Sequence, residues 1–117
     1  MNIYISGPIT GRSEAECEMK FNKAQNEIEK LGHTAVNPWQ IGKLLPKNLS
    51  HKDFMDIDKE ILVKCDAIYM MPDWNKSKGC REEHRLMVIL DDCIDDSTKI
   101  FYELSEIPDN NHPKSEA

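Results

Sequence analysis

The 117 residues amount to one domain with room for a single modest core, and hence for one active site. A 39% hydrophobic and 31% charged composition, with no apolar run of bilayer length and no cleavable leader pattern, reads as a soluble globule and sets the expectation of a cytoplasmic protein with no membrane partner. The net charge of −6, with basic residues scattered among acids, opposes the backbone of a nucleic-acid polymer and leaves small ligands, gripped locally, as the expected partners. Four cysteines (Cys17, Cys65, Cys80, Cys93) without a C-x-x-C pair read as free thiols. Cys80 and His84 share a helix face, but two ligands do not make a metal site, and neither metal nor cofactor is expected.

In chain order, "NIYIS" (2–6) is a β-branched and aromatic run stopped by "GPITG", a buried strand ending in a Gly-Pro turn. Cys17, Phe21, Ala24, Ile28 and Leu31 then recur at steps of four and three, which predicts an amphipathic helix from Glu14 to Leu31 with Gly32 as its stop. "HTAVN" is a short strand ended by Pro38, and "PWQIGKLLPKNLS" an irregular connection with room for one helical turn. Ser50 with Asp53 forms a capping-box pattern opening a helix with Phe54, Ile57, Ile61 and Leu62 on its apolar face, ending near Lys64. "DAIYMM" is a continuous apolar run, as in a strand covered on both faces. A loop over 72–78, a helix from about Gly79 to Asp91, an acidic turn and a last strand "KIFYEL" complete the pattern.

This alternation of strands and helices predicts a parallel sheet of four to five strands in a three-layer, flavodoxin-like α/β sandwich over residues 1–107, followed by a disordered polar tail over 108–117. Ligands of such sheets bind beyond the carboxyl ends of the strands, so "SGPITGR" and "PDWNKSKG" are the candidate site walls.

Placing residues 79–94 at about 100° per step puts Leu86, Met87, Leu90 and Ile94 on one face, with Gly79 near its centre and Glu83 closer to it than Glu82 by about 30°. Glu83 is then a first-turn carboxylate turned to a cleft, a nucleophile suited to an anomeric carbon; the alternative is that both glutamates only complement the helix dipole. Asp58 borders the buried face of its helix, as a surface acid in an ion pair or as a cleft group that holds a sugar hydroxyl or assists a leaving base. Asp66, at the start of a strand, reads as structural. Tyr4 shares a strand face with Asn2 and Ser6, half core, with a hydroxyl in reach of Glu83. "SGPITG" matches neither the P-loop nor G-x-G-x-x-G; it is a tight turn, or a loop presenting backbone amides and the Ser6 and Thr10 hydroxyls to an anion.

Together "IYISGPITG", the aspartates Asp58 and Asp66 in "DKEILVKCDAIYMM", and Ser77, Gly79 and Glu83 at offsets of two and four resemble the nucleoside 2-deoxyribosyltransferase-like family over roughly residues 2–105, closest to its short bacterial and phage members. Asn37-Pro38 and Trp74 add to the match. The resemblance implies Glu83 as nucleophile, Asp58 as orienter of the sugar or aid to base departure, and Tyr4 as orienter of the nucleophile. It implies substrate contacts from Ser6, Gly7, Pro8, Ile9, Gly11, Trp74, Ser77 and Gly79, with Trp39 or Trp74 stacking on the base. Related 2'-deoxynucleoside 5'-monophosphate N-glycosidases have serine at the position of Ser77, and Lys76 and Lys78 flank it, so a nucleoside or nucleotide, preferably a 5'-monophosphate, is the expected substrate.

The implied reaction cleaves the N-glycosidic bond through a covalent glycosyl-enzyme, with deoxyribosyl transfer between bases as the alternative outcome. A homodimer or higher homo-oligomer is implied too. Relatives complete the pocket from a partner's C-terminal loop, for which this chain offers only Ser105 or the residues around it. Three rivals stand beside this reading: a non-catalytic nucleotide-binding or sequestering module on the same fold, an interaction protein with an acidic surface, and a thiol enzyme using Cys80.

Overall fold

The computed structural model describes residues 1–93 and 99–111. Its elements run β1 (Asn2–Ser6), α1 (Glu14–Lys30), β2 (Thr34–Val36), α2 (Pro38–Lys43), α3 (His51–Leu62), β3 (Ala67–Met70), α4 (Lys78–Cys93) and β4 (Lys99–Phe101), with 3-10 turns at Trp74–Lys76 and Leu104–Glu106. The sheet is four-stranded and parallel in the order β2-β1-β3-β4. That order is the first part of the flavodoxin-like sequence 2-1-3-4-5, whose connections leave to opposite faces between β1 and β3.

The pleat sorts side chains by parity. Ile3 and Ile5 of β1, with Ala67, Tyr69 and Met71, meet Cys17, Phe21, Ala24 and Ile28 of α1 in one core. Tyr4, with Ile68 and Met70, meets Leu62 of α3 and Cys80 and Met87 of α4 in the other. All four residues of β3 are buried, as its unbroken apolar run requires of a central strand. Of the face expected on α4, Met87 is buried and Leu86 and Leu90 are partly so, while Ile94 and the acidic turn over 94–98 lie outside the described residues.

Local chemistry fixes the ends. Ser13 caps α1 by accepting from Glu16 N–H at 3.1 Å, and Gly32 at φ +84° ends it. Ser50 and Asp53 form a reciprocal capping box on α3, at 3.0 Å both ways. Asn37 caps α2, with Pro38 at its first position, so the irregular connection contains a helix of six residues. The last strand stops at Phe101, short of the expected Leu104. The Glu106 carboxylate accepts from Tyr102 and Glu103 N–H at 2.7 and 2.8 Å and turns the chain away from the sheet.

The tail expected to be disordered from residue 108 starts out docked. Pro108 O accepts from His33 at 2.6 Å, Asn110 N–H donates to Leu31 O at 2.8 Å, and the Asn111 side chain donates to Lys30 O. The last two contacts satisfy the Leu31 and Lys30 carbonyls left open at the end of α1. Residues 112–117 lie outside the described ones.

Candidate functional site

Strand parity and helix phase converge on one carboxylate. Tyr4 and Ser6 stand two apart on β1 and face α4 together, and one turn into α4 the side chain of Glu83 comes down between them. Tyr4 OH donates to Glu83 Oε2, and Ser6 Oγ donates to Oε1 at 2.7 Å. Glu83 is 6% exposed and Tyr4 and Ser6 are fully buried. Glu82 instead turns outward and pairs with Lys59 at 3.7 Å, so the helix phase separates the two glutamates.

Burial raises the carboxyl pKa of Glu83, opposed by the Tyr4 and Ser6 hydrogen bonds and the Lys59 charge. Burial, then the Glu83 charge, hold the Tyr4 phenol well above its ordinary value, so it remains a donor. Asp58, on the facing side of α3, is pushed up to about 7 by burial and then by the charge of Glu83. Asp58 has no hydrogen bond among the described residues, whereas Glu83 has two donors. Burial thus raises both carboxyls, and of the two only Glu83 receives hydroxyl donors that oppose the rise.

Asp58 also opens onto a cleft of about 770 Å³ between the β1–α1 loop, α1, α2 and α3. Ile9, Ala15, Trp39, Phe54 and Met55 give it apolar walls, and Glu83, Tyr4 and Ser6 do not line it. A hollow of about 310 Å³ on the outside of α3 is walled by Asp56, Ile57, Glu60, Ile61 and Lys64 alone; with no opposing element it has nothing to converge on a ligand.

The remaining expected residues divide. Ile9 and Thr10 reach the cleft, and Gly11, at φ +80°, supplies the turn that Arg12 N–H closes onto Ile9 O at 3.1 Å. Pro8 is half-buried beside Cys17, its carbonyl 4.0 Å from the thiol. Gly7 is a packing position, because a Cβ there would collide with Met71 Sδ and come within 3.0 Å of Phe21. Gly79 lets α4 approach α3 rather than the strand, a Cβ there standing 3.3 Å from Met55 Sδ. Ser77 Oγ accepts from Cys80 N–H at 3.3 Å, as a cap on α4. Asp66 accepts from Asn2 N–H at 2.8 Å and ties β1 to β3, in keeping with a structural acid.

Trp74 is not brought to the cleft. Its ring packs on His84, with centroids 4.4 Å apart, and near Tyr102, whose hydroxyl bonds His84 Nε2 at 2.8 Å. The indole on the cleft wall is Trp39, fixed by Nε1–H to Glu18 at 3.0 Å, while Glu18 also accepts from Gln40 at 2.7 Å and from Lys43 at 2.5 Å. Sequence reasoning missed this α1–α2 clamp, because its partners are more than twenty residues apart and share no helix or strand periodicity. Ser6 as a second donor to Glu83 was foreseeable from its parity with Tyr4. Ser105 is exposed and bonds Glu103 at 3.4 Å. Among the described residues no three metal-ligating side chains cluster, and no helix is long and apolar enough to cross a membrane. Cys17, Cys65 and Cys80 are free, and burial raises the Cys80 thiol pKa, against thiolate chemistry.

A family model described as Domain of unknown function (DUF4406) matches residues 1–93. Among curated proteins none matches the sequence. Among solved structures, the 2-deoxyribosyltransferase of the psychrotolerant bacterium Bacillus psychrosaccharolyticus superposes with a TM-score of 0.61 over 99% of this chain and 95% of that one, at 16% identity. The two share a fold; at that identity the likeness carries no further.

Proposed function

The chain belongs to this family of unknown function, and from its site we propose that it cleaves the N-glycosidic bond of a (deoxy)nucleoside 5'-monophosphate through Glu83. The observation that carries the reading is one buried carboxylate receiving two hydroxyls beside a second carboxyl that is pushed up to about 7. Tyr4 and Ser6 orient Glu83 and favour its ionised form against the rise that burial imposes, and Asp58 lines the cleft with its carboxyl pushed up to about 7.

Glu83 attacks C1' of the sugar, the C1'–N bond breaks, and the bonding pair leaves on the base nitrogen, which takes the Asp58 proton. Water then attacks C1' from the face the base has left and returns a proton to Asp58, freeing Glu83 with overall retention. The base leaves towards the cleft, where Trp39 offers a stacking face. For the 5'-phosphate we propose the start of α4, where the Ser77 hydroxyl stands between the exposed Lys78 and Lys76, the latter also pairing with Asp73 at 3.6 Å. Gly7 and Gly79 shape the walls by close packing, and Pro8, Ile9 and Gly11 set the path of the first loop.

The structural neighbour is a 2-deoxyribosyltransferase, which favours transfer to a second base as the other fate of the glycosyl-enzyme; the two fates share every residue named. Incubation with a panel of nucleosides and nucleotides, with chromatography for free base, tests the reading. Released base that Glu83→Ala abolishes is expected. Intact ligand throughout, with thermal stabilisation, would make the protein a nucleotide-binding module instead. Adding a second base distinguishes transfer from hydrolysis. Residues 1–107 are proposed as the catalytic domain, acting as a homo-oligomer.

A further inference from the structure

We propose that the far end of the cleft is a carboxylate subsite formed by Lys47 and His51, and that the base this protein releases carries a carboxylate on a short tether. The inference rests on the reading of Glu83 and Asp58 above and specifies the leaving group.

The cleft is on the leaving-group side. Asp58, the proton donor to the base, lines it, while Glu83, Tyr4 and Ser6 do not. At about 770 Å³ it stands in the upper part of the range of roughly 300–1,000 Å³ usual for small-molecule sites, and Glu83, to which the proposed reaction brings the sugar, is not among its lining residues. A bare base leaves much of that space empty.

Its wall changes character along α3. Asp58, Met55, Phe54 and His51 face the cleft in that order, acid first, then apolar, then imidazole, and Lys47 stands beyond. Seven helical residues separate Asp58 from His51, about 10 Å.

The charges of this wall are unequally engaged. Lys43 is neutralised by Glu18 at 2.5 Å, while Lys47 and His51 have no hydrogen bond or ion pair among the described residues. Glu14, also without a partner, stands on the α1 side of the cleft and repels an anion there, leaving the α3 end as the attractive one. One ammonium and one imidazole, with the Glu14 carboxylate across the same cleft, suit a single negative charge better than the two of a phosphate. The ligand is thus a purine- or pyrimidine-type base, stacked by Trp39 and Phe54, with a carboxylate about 10 Å from its glycosidic nitrogen.

The test pairs 2'-deoxynucleoside 5'-monophosphates of N6-(carboxyalkyl)adenine with the corresponding neutral carboxamides, and uses Lys47→Ala/His51→Ala, two exposed positions outside the core. The carboxylate substrate is expected to have at least a tenfold higher kcat/KM than its amide, and the double variant to lose that advantage while turning over the amide as before. Equal kcat/KM for the pair, or an equal loss on both in the variant, overturns the subsite and leaves the glycosidase reading standing. Calorimetry of free N6-(carboxyalkyl)adenine with Glu83→Gln reads the subsite without turnover. Binding at least tenfold tighter than that of the amide, lost in the double variant, supports it even if no base is ever released, an outcome that would remove the glycosidase reading alone.

Discussion

Glu83 is held by two donors of unequal importance to the fold. Tyr4 fills the core between β1 and α4 with its ring and uses only its hydroxyl on the carboxylate, so Tyr4→Phe removes the hydrogen bond and keeps the packing. A hydrogen bond to a charged group contributes about 1.5–3 kcal/mol, so Tyr4→Phe is expected to lower kcat by roughly 10- to 100-fold with KM little changed, measured by base release. Glu83→Gln keeps the shape and removes the nucleophile, and a fall on the order of 10³-fold or more is expected. In the proposed reaction Asp58 acts in its protonated form, so kcat/KM should fall as pH rises through about 7. Asp58→Asn is expected to abolish that alkaline limb. A pH profile unchanged in the variant would assign the proton to another group.

At the scale of elements, β1, α3 and the first turns of α4 carry the site, and each depends on a local device. Ser50 accepts from Asp53 N–H at 3.0 Å and Asp53 closes the box, so Ser50→Ala leaves one donor of α3, Asp53 N–H, without its partner. Chemical denaturation is expected to give a loss of about 1 kcal/mol, with base release by the folded fraction unchanged. Gly7→Ala is the more damaging change, because Met71 and Phe21 occupy the space of its Cβ; overpacking there is expected to cost about 1–3 kcal/mol and to shift the loop that carries Ile9 and Thr10. These devices were legible in the sequence because they are local: the capping box has an offset of three, and the apolar steps of α1 follow the helical repeat. The end of β4 was not, since Glu106 draws Tyr102 and Glu103 out of a run whose composition alone reads as strand.

Across the whole molecule, the site stands where the chain's connections part, between β1 and β3, and its legibility follows from that topology. Tyr4, Ser6 and Glu83 could be brought together from parity and phase. Which of Trp39 and Trp74 lines the cleft could not be read that way, because Trp39 is fixed by Glu18 across the α1–α2 junction, a contact without a sequence period. The same crowding of carboxyls costs stability, and its sign can be worked out. Asp58 rises from an ordinary 3.8 to about 7 on folding, so the folded protein binds its proton more tightly than the unfolded chain does. That preference favours the folded state at low pH and is lost as pH rises through the interval between those values, to be absent above about 7. Above that interval the ionised pair repels within the fold, and Glu83, also raised by burial, acts in the same direction. Asp58→Asn removes the repulsion without removing volume. Discounted for the solvent that reaches this half-buried group, the gain at pH 8 is ~1 kcal/mol, or about 4–8 °C in Tm. At pH 4 the difference from the parent should vanish or reverse. Thermal melts of both proteins from pH 4 to 8 measure it, and parallel curves would mean that folding does not raise the Asp58 carboxyl. A variant that gains stability while losing its alkaline activity limb is the behaviour expected of a group retained for chemistry rather than for folding.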